Sequence, residues 1–150
     1  MYGLWTNIAL WLPVSAALLA QLAKPLWSWW RNGHIDFRSI ISAGGMPSSH
    51  SAMVSSLATV LGYEEGLGSS HFAISVIVAV IVMYDARGVR QESGKQARIL
   101  NHIVREFFRG QPISEEQLKE LLGHTGIEVL IGAVLGIIYA GLILLLLNWG

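Results

Sequence analysis

Residues 131–147 read IGAVLGIIYAGLILLLL, a run without one charged side chain. With its flank it extends over about 127–147, broken only by the carboxylate of Glu128. A helix needs roughly 20 mostly apolar residues to cross a bilayer core. Such a segment constrains the whole chain, because backbone N–H and C=O groups in lipid must be satisfied inside a helix or a closed barrel. The rest of the sequence agrees: 53% of its 150 residues are hydrophobic and 13% are charged, against about 25% charged in a typical soluble domain. Lys+Arg and Asp+Glu are 10 each, which removes the basic face a nucleic-acid binder needs. The chain has no cysteine, so a disulfide framework and a zinc ribbon are excluded.

Three further apolar segments lie at about 4–23, 49–63 and 70–84. The first ends at Lys24-Pro25 and the cluster Trp27, Trp29 and Trp30, and Trp beside a basic residue is typical of a membrane interface. It fits a cleaved signal peptide poorly, because no basic residue precedes it. The second and third are short for spans, but each can extend by a turn into its flanks. The expectation is an all-α integral membrane helical bundle of about four spans, with residues 1–150 as a single membrane-embedded domain.

Arg31 and Arg38 lie between the first two segments, Glu64 and Glu65 between the next two. Arg87, Arg90, Lys95, Arg98, Arg105, Arg109 and Lys119 precede the last. Positive residues stay cytoplasmic, so both termini are expected outside the cell membrane, with the first and third loops in the cytoplasm. Within the third loop, Leu100, Ile103, Val104, Phe107 and Phe108 share one face of a helix over 93–109, with Lys95, Arg98, Arg105 and Arg109 mostly on the other. That pattern serves a helix on the inner leaflet or one packed on its own protein. Ser114-Glu115-Glu116-Gln117 reads as a capping box opening a short helix to Leu122.

Residues able to do chemistry fall at four segment ends that this topology brings to the cytoplasmic face. They are Lys24 and Arg31; Gly44-Gly45-Met46-Pro47-Ser48-Ser49-His50; Asp85, Arg87 and Arg90; and His124 with Glu128. Ionisable residues near membrane depth are functional candidates. Pro47, Ser48 and Ser49 suit a helix start, whose N–H groups and hydroxyls can hold an anion; an ordinary turn and serine cap would look the same. His124 and Glu128 are four apart and share a helix face with Gly132, Gly136 and Ala140, polar at one end and small inside the bilayer. A simple packing seam accounts for the small residues equally well. Together, two histidines, a carboxylate, several cations and an anion cradle suit phosphoryl transfer without a metal or cofactor: one histidine attacks phosphorus, another protonates the leaving oxygen, and cations hold the phosphoryl oxygens. No HExxH, Walker loop, EF-hand or GxSxG appears.

At these residues the sequence resembles the type 2 phosphatidic acid phosphatase superfamily, which includes vanadium haloperoxidases. It is most similar to the small divergent, acid phosphatase/vanadium-dependent haloperoxidase-related branch. The superfamily pattern is KxxxxxxRP, PSGH and SRxxxxxHxxxD. Lys24 to Arg31 keeps the first spacing, with Asn32 for the proline. Pro47-Ser48-Ser49-His50 matches the second, with Ser49 for glycine, and His124 with Glu128 closes the third, with Glu for Asp. Gln117 and Leu118 stand where the Ser-Arg pair is due. The stretch from Tyr84 to Arg90, with Gly94, Ala97 and Asn101, resembles a signature of the divergent branch. The resemblance implies His124 as nucleophile, Glu128 as its orienting partner and His50 as general acid. It implies phosphate binding by Lys24, Arg31, Ser48 and Ser49, with Arg87 or Arg90 replacing the missing arginine. Asp85, Gly45, Gly132 and Gly136 would give structural support.

Two functions follow from the resemblance. One is a membrane phosphatase hydrolysing a lipid phosphate monoester or diphosphate through a phosphohistidine. The other is a catalytically degenerate lipid-phosphate binder or scaffold, which the lost Ser-Arg pair favours. The expected partners are the membrane and a lipid phosphate, with a homodimer as a means for so small a chain to bury its polar residues.

Overall fold

A computed structural model describes residues 3–42, 44–107 and 124–148. The Ser114 capping box, Gln117, Leu118, Phe108 and Arg109 lie outside the described residues. Five helices occur among the described residues: α1 (Ile8–Asn32), α2 (Ser49–Glu64), α3 (Ser70–Arg87), α4 (Val89–Phe107) and α5 (Gly126–Asn148). Short 3-10 turns occupy Leu4–Thr6 and Phe37–Ile40, and no strand occurs among the described residues. The protein is an all-α membrane helical bundle. Helix α2 packs against α1, α3 and α5; α1 and α5 also touch; α4 packs on α3.

Local sequence sets the ends of these helices. The Asn7 side chain accepts from Leu10 N–H at 3.1 Å, capping α1. Gly33, at φ 74°, ends it with its N–H on the Trp29 carbonyl, the left-handed position that glycine fills without penalty. Helix α1 therefore continues past Lys24-Pro25, where the apolar run stops. Pro13 and Pro25 lie inside it, each removing one N–H from the ladder, a loss that membrane bundles tolerate by re-satisfying the freed carbonyl. As a result Lys24 and Arg31 stand on a helix. Ser48 caps α2 and Ser69 caps α3, each side chain accepting an N–H three residues on.

Three helices, α1, α3 and α5, are long and apolar enough to cross a membrane by length and composition. Helix α2 has 16 residues, about 24 Å of helix against a hydrocarbon core of about 30 Å. The four expected spans thus become three of full length and one shorter interior helix. Composition explains the difference: α2 buries Ser51, Ala52, Val54, Ser55, Ser56 and Val60, filling the centre of the bundle and facing little lipid. The exterior is apolar instead, with Ile77, Val80 and Ile81 of α3 and Leu130, Ile138 and Leu142 of α5 exposed.

Helices α2 and α5 run side by side in the same direction and approach closely. A Cβ on Gly132 would collide with the Ser48 carbonyl oxygen, and one on Gly136 with the Ala52 carbonyl oxygen and the Ser55 hydroxyl. The Ser55 hydroxyl lies 2.9 Å from the Ala133 carbonyl and 2.7 Å from that of Ser51, able to donate to either. Near the other end, Leu12, Val60, Ala140 and Leu144 form an apolar cluster, and Asn148 bonds the Tyr63 hydroxyl. Register thus carries Ser48 alongside Gly132, six residues into α5, so α2 begins between one and two turns deeper than α5.

Helix α4 starts at Val89, earlier than the expected 93–109, and only Gly88 separates it from α3. Gly94, Ala97 and Asn101 form its buried stripe, which accounts physically for the Gly94, Ala97 and Asn101 of the divergent-branch signature. Ile99, Leu100, Ile103 and Phe107 are exposed. The helix therefore buries a stripe of small and polar residues and keeps larger apolar ones outward, an arrangement suited to a lipid interface.

Helix α5 opens with a reciprocal capping box. The Glu128 N–H donates to the Thr125 hydroxyl at 3.3 Å, and the Glu128 carboxylate accepts from the Thr125 N–H at 3.0 Å. Thr125→Ala should cost about 1 kcal/mol of stability, while Thr125→Ser should stay near wild type. Gly136→Ala should cost about 1–3 kcal/mol through overpacking. Gly141→Ala, whose new Cβ meets nothing within 4 Å, should be neutral or stabilising by up to about 1 kcal/mol. Unfolding in detergent followed by circular dichroism checks both pairs; equal effects at Gly136 and Gly141 would contradict the close approach.

Candidate functional site

The C-terminal ends of α1 and α3 and the N-terminal ends of α2 and α5 meet at one end of the bundle. Two backbone bonds tie them: Ser48 N–H to the Glu128 carbonyl at 3.2 Å, and His124 N–H to the Ala86 carbonyl at 2.9 Å. The first locks the start of α2 to α5, the second the residue before the α5 cap to the last turn of α3.

His124 is the most enclosed of the candidates, with 1% of its surface exposed. Its Nδ1 lies 3.2 Å from Glu128 Oε2, the same oxygen that accepts from Thr125 N–H. A carboxylate can only accept, so in the neutral ring Nδ1 carries the hydrogen and Nε2 presents a lone pair. Nε2 is buried and has no hydrogen-bond partner among the described residues. A buried polar atom in that state costs stability unless something else satisfies it. The imidazole is thus held from the backbone and from one nitrogen.

Lys24 is 2% exposed, and its ammonium donates to the Ser42 carbonyl at 2.8 Å. It lies within electrostatic range of Glu128, as does Arg31. Arg31 sits two turns beyond Lys24 and is exposed. The loop before α2 folds back along α1, where Gln21 also bonds the Ile40 carbonyl. Gly45 in this loop has φ 89°, a conformation that glycine adopts at no steric cost.

Ser48 is fully buried, and its hydroxyl accepts from Ser51 N–H at 3.4 Å and from the Ser51 hydroxyl at 3.0 Å. Its own hydrogen remains as a donor. Because its N–H is committed to Glu128 and that of Ser51 to the Ser48 hydroxyl, Ser49 is the residue that opens α2 behind this cap. Ser49 is half-buried; His50, the second residue of α2, is exposed. The Arg87 guanidinium lies against Gly126, with Nε 3.3 Å from where a Cβ would stand. It therefore borders the first turn of α5, two residues from His124. Asp85 is half-buried in the last turn of α3, and the side chain of Arg90 is outside what is described.

Lys24, Ser48, His124, Glu128 and Gly132 are therefore linked by direct contacts or electrostatics; exposed Arg31 reaches Glu128 electrostatically, exposed Arg87 borders Gly126, and His50 stands at the exposed rim. Three participants were not singled out in the sequence: Thr125, the Ala86 carbonyl and the Ser42 carbonyl. The pattern Thr125-x-x-Glu128 before an apolar run does signal the capping box. The two carbonyls have no sequence signal. A larger cavity of about 670 Å³ lies at the opposite end, lined by Asn7, Leu57, Glu65 and His71 among others, and contains none of the candidate residues.

The family described as the divergent PAP2 family matches residues 5–139. The chain is 41% identical over 146 residues to the uncharacterized membrane protein YuiD of Bacillus subtilis (strain 168), covering 90% of this chain and 92% of that protein. No solved structure matches. With most of its length matched and its four helix ends gathered around His124, the chain belongs to the divergent PAP2 family.

Proposed function

We propose that this membrane protein is a single-domain, metal-independent phosphatase that hydrolyses a lipid phosphate monoester or diphosphate through a phosphohistidine. The observation that carries the reading is the state of His124, oriented through Nδ1 by Glu128 and buried with an unpartnered Nε2. In the proposed reaction the Nε2 lone pair attacks phosphorus and the bond from phosphorus to the leaving oxygen breaks. His50 gives that oxygen a proton. Water then attacks the phosphohistidine, His50 takes back a proton, and inorganic phosphate leaves with His124 restored. Glu128 stabilises the imidazolium character that develops on His124.

Lys24, the Ser48 hydroxyl and the backbone N–H of Ser49 are the proposed phosphate ligands, with Arg31 at the rim. Arg87 is the better substitute for the arginine missing at Leu118, because it borders the first turn of α5. The proposed orientation places this end in the cytoplasm and both termini outside, on the loop charges. The absence of the Ser-Arg pair at Gln117 and Leu118 favours one competing reading, a lipid-phosphate binder without turnover. Either form can act as a homodimer.

Phosphate release from a lipid-phosphate panel by protein in lipid nanodiscs tests this. His124→Ala should abolish release and the acid-labile phosphoprotein, because a nucleophile has no substitute. His50→Ala should matter less for substrates with good leaving groups. Arg87→Ala should slow turnover by about 10²–10³-fold, with partial rescue by Arg87→Lys, which lacks the planar fork. A chelator should leave the rate unchanged. Identical residual rates for wild type and His124→Ala on every substrate would replace hydrolysis with the binding reading.

The orientation has its own test. Single cysteines at Ser39 and Glu65 should label from opposite sides of intact cells, and labelling from one side would refute the topology.

A further inference from the structure

Helices α2 and α3 start on the same three residues, Ser48-Ser49-His50 and Ser69-Ser70-His71. In each the first serine caps the helix by accepting the N–H three residues on. They differ in the fourth residue, Ser51 against Phe72. Ser69 is half-buried and accepts the Phe72 N–H at 3.1 Å. At Ser48 the corresponding bond is longer, 3.4 Å, and the closer donor is the Ser51 hydroxyl at 3.0 Å. Ser48 and Ser51 are both fully buried, so their hydrogens can be counted. A hydroxyl has one hydrogen and two acceptor sites. The pair holds two hydrogens and shares one bond, so one hydrogen has no acceptor among the described residues. If Ser48 donated to Ser51, the spare hydrogen would be shut inside α2. With Ser51 donating, it sits on Ser48 at the start of the helix, on the residue whose N–H bonds Glu128.

We propose that Ser51 is a positioning residue of the phosphate site: it occupies both acceptor sites of the Ser48 hydroxyl and leaves that hydroxyl a fixed donor to a phosphoryl oxygen. This rests on the reading that phosphate binds at Ser48, whether or not it is hydrolysed. With the Ser51 N–H and the Ser51 hydroxyl both on Ser48 Oγ, Ser48 can take a further partner only by donating. A phosphoryl oxygen is such a partner, and a ligand group that must itself donate is disfavoured there. Hydrogen bonds in series polarise one another in a low-dielectric interior. The run from Ser51 through Ser48 to phosphate therefore strengthens its last bond as well as aiming it. Ser55, one turn beyond Ser51, does not share this role, because its hydroxyl reaches the Ser51 and Ala133 carbonyls instead.

The test is a double-mutant cycle on the binding of inorganic phosphate, measured by titration calorimetry with the full chain in phosphatidylcholine nanodiscs. Ser51→Ala should weaken binding about tenfold, the net scale of one hydrogen bond. Ser51→Cys, which keeps the shape but donates weakly, should lose nearly as much. In a Ser48→Ala background Ser51→Ala should cause no further loss, because its effect passes through the Ser48 hydroxyl. Ser69→Ala should bind as wild type does. Circular dichroism checks that each variant is folded, and if Ser51→Ala is not, Ser51→Cys in the two backgrounds completes the cycle. A loss of the same size in both backgrounds means that Ser51 acts by packing, and overturns the proposal. Full binding by Ser51→Ala or Ser51→Cys where Ser48→Ala is impaired also overturns it; both outcomes keep the phosphate reading. A wild type that binds no phosphate, or a Ser48→Ala variant that binds it fully, removes phosphate from Ser48 and the proposal with it.

Discussion

The close approach of α2 to α5 is the constraint on which the rest of this structure depends. It exists because Gly132 and Gly136 present no Cβ to the backbone at Ser48 and Ala52. Without a hydrophobic driving force between helices in lipid, association rests on packing and interhelical hydrogen bonds, and this seam has both. The Ser48 N–H reaches the Glu128 carbonyl, and the Ser55 hydroxyl reaches that of Ala133. The resulting register sinks the start of α2 by between one and two turns relative to α5. A polar helix end is thereby buried in the bundle, next to the residues that open α5.

Glu128 serves two purposes at once. Its carboxylate closes the capping box with Thr125 and orients His124. The same contacts that stabilise the helix end therefore position the imidazole, and the Ala86 carbonyl adds a tether from α3. A histidine held from two sides, with one nitrogen lacking a partner among the described residues, is preorganised for the proposed chemistry. The fold also separates its surfaces by chemistry, with serines, Lys24 and His124 inside and aliphatic side chains outside. Helix α4 follows that logic, with its stripe of Gly94, Ala97 and Asn101 buried and larger apolar residues outward.

Much of this was legible in the residues. Uninterrupted apolar runs imply membrane helices because lipid offers no partner for a bare backbone, and the family resemblance rested on spaced motifs around Lys24, Ser48 and His124. The four-residue interval of His124 and Glu128, continued through Gly132 and Gly136, placed a polar end and a small seam on one helix face. Composition pointed to an integral membrane protein, the length of the apolar runs made it helical, and periodicity determined which faces carry the polar groups. The depth of α2, its short length as an interior helix and the passage of α1 through Pro25 were decided only in three dimensions, because packing against neighbours overrides local hydropathy and propensity. The same is true of the backbone carbonyls of Ser42, Ala86 and Glu128. Every residue owns such a carbonyl, so no side-chain pattern can single out the three that the fold turns toward Lys24, His124 and Ser48.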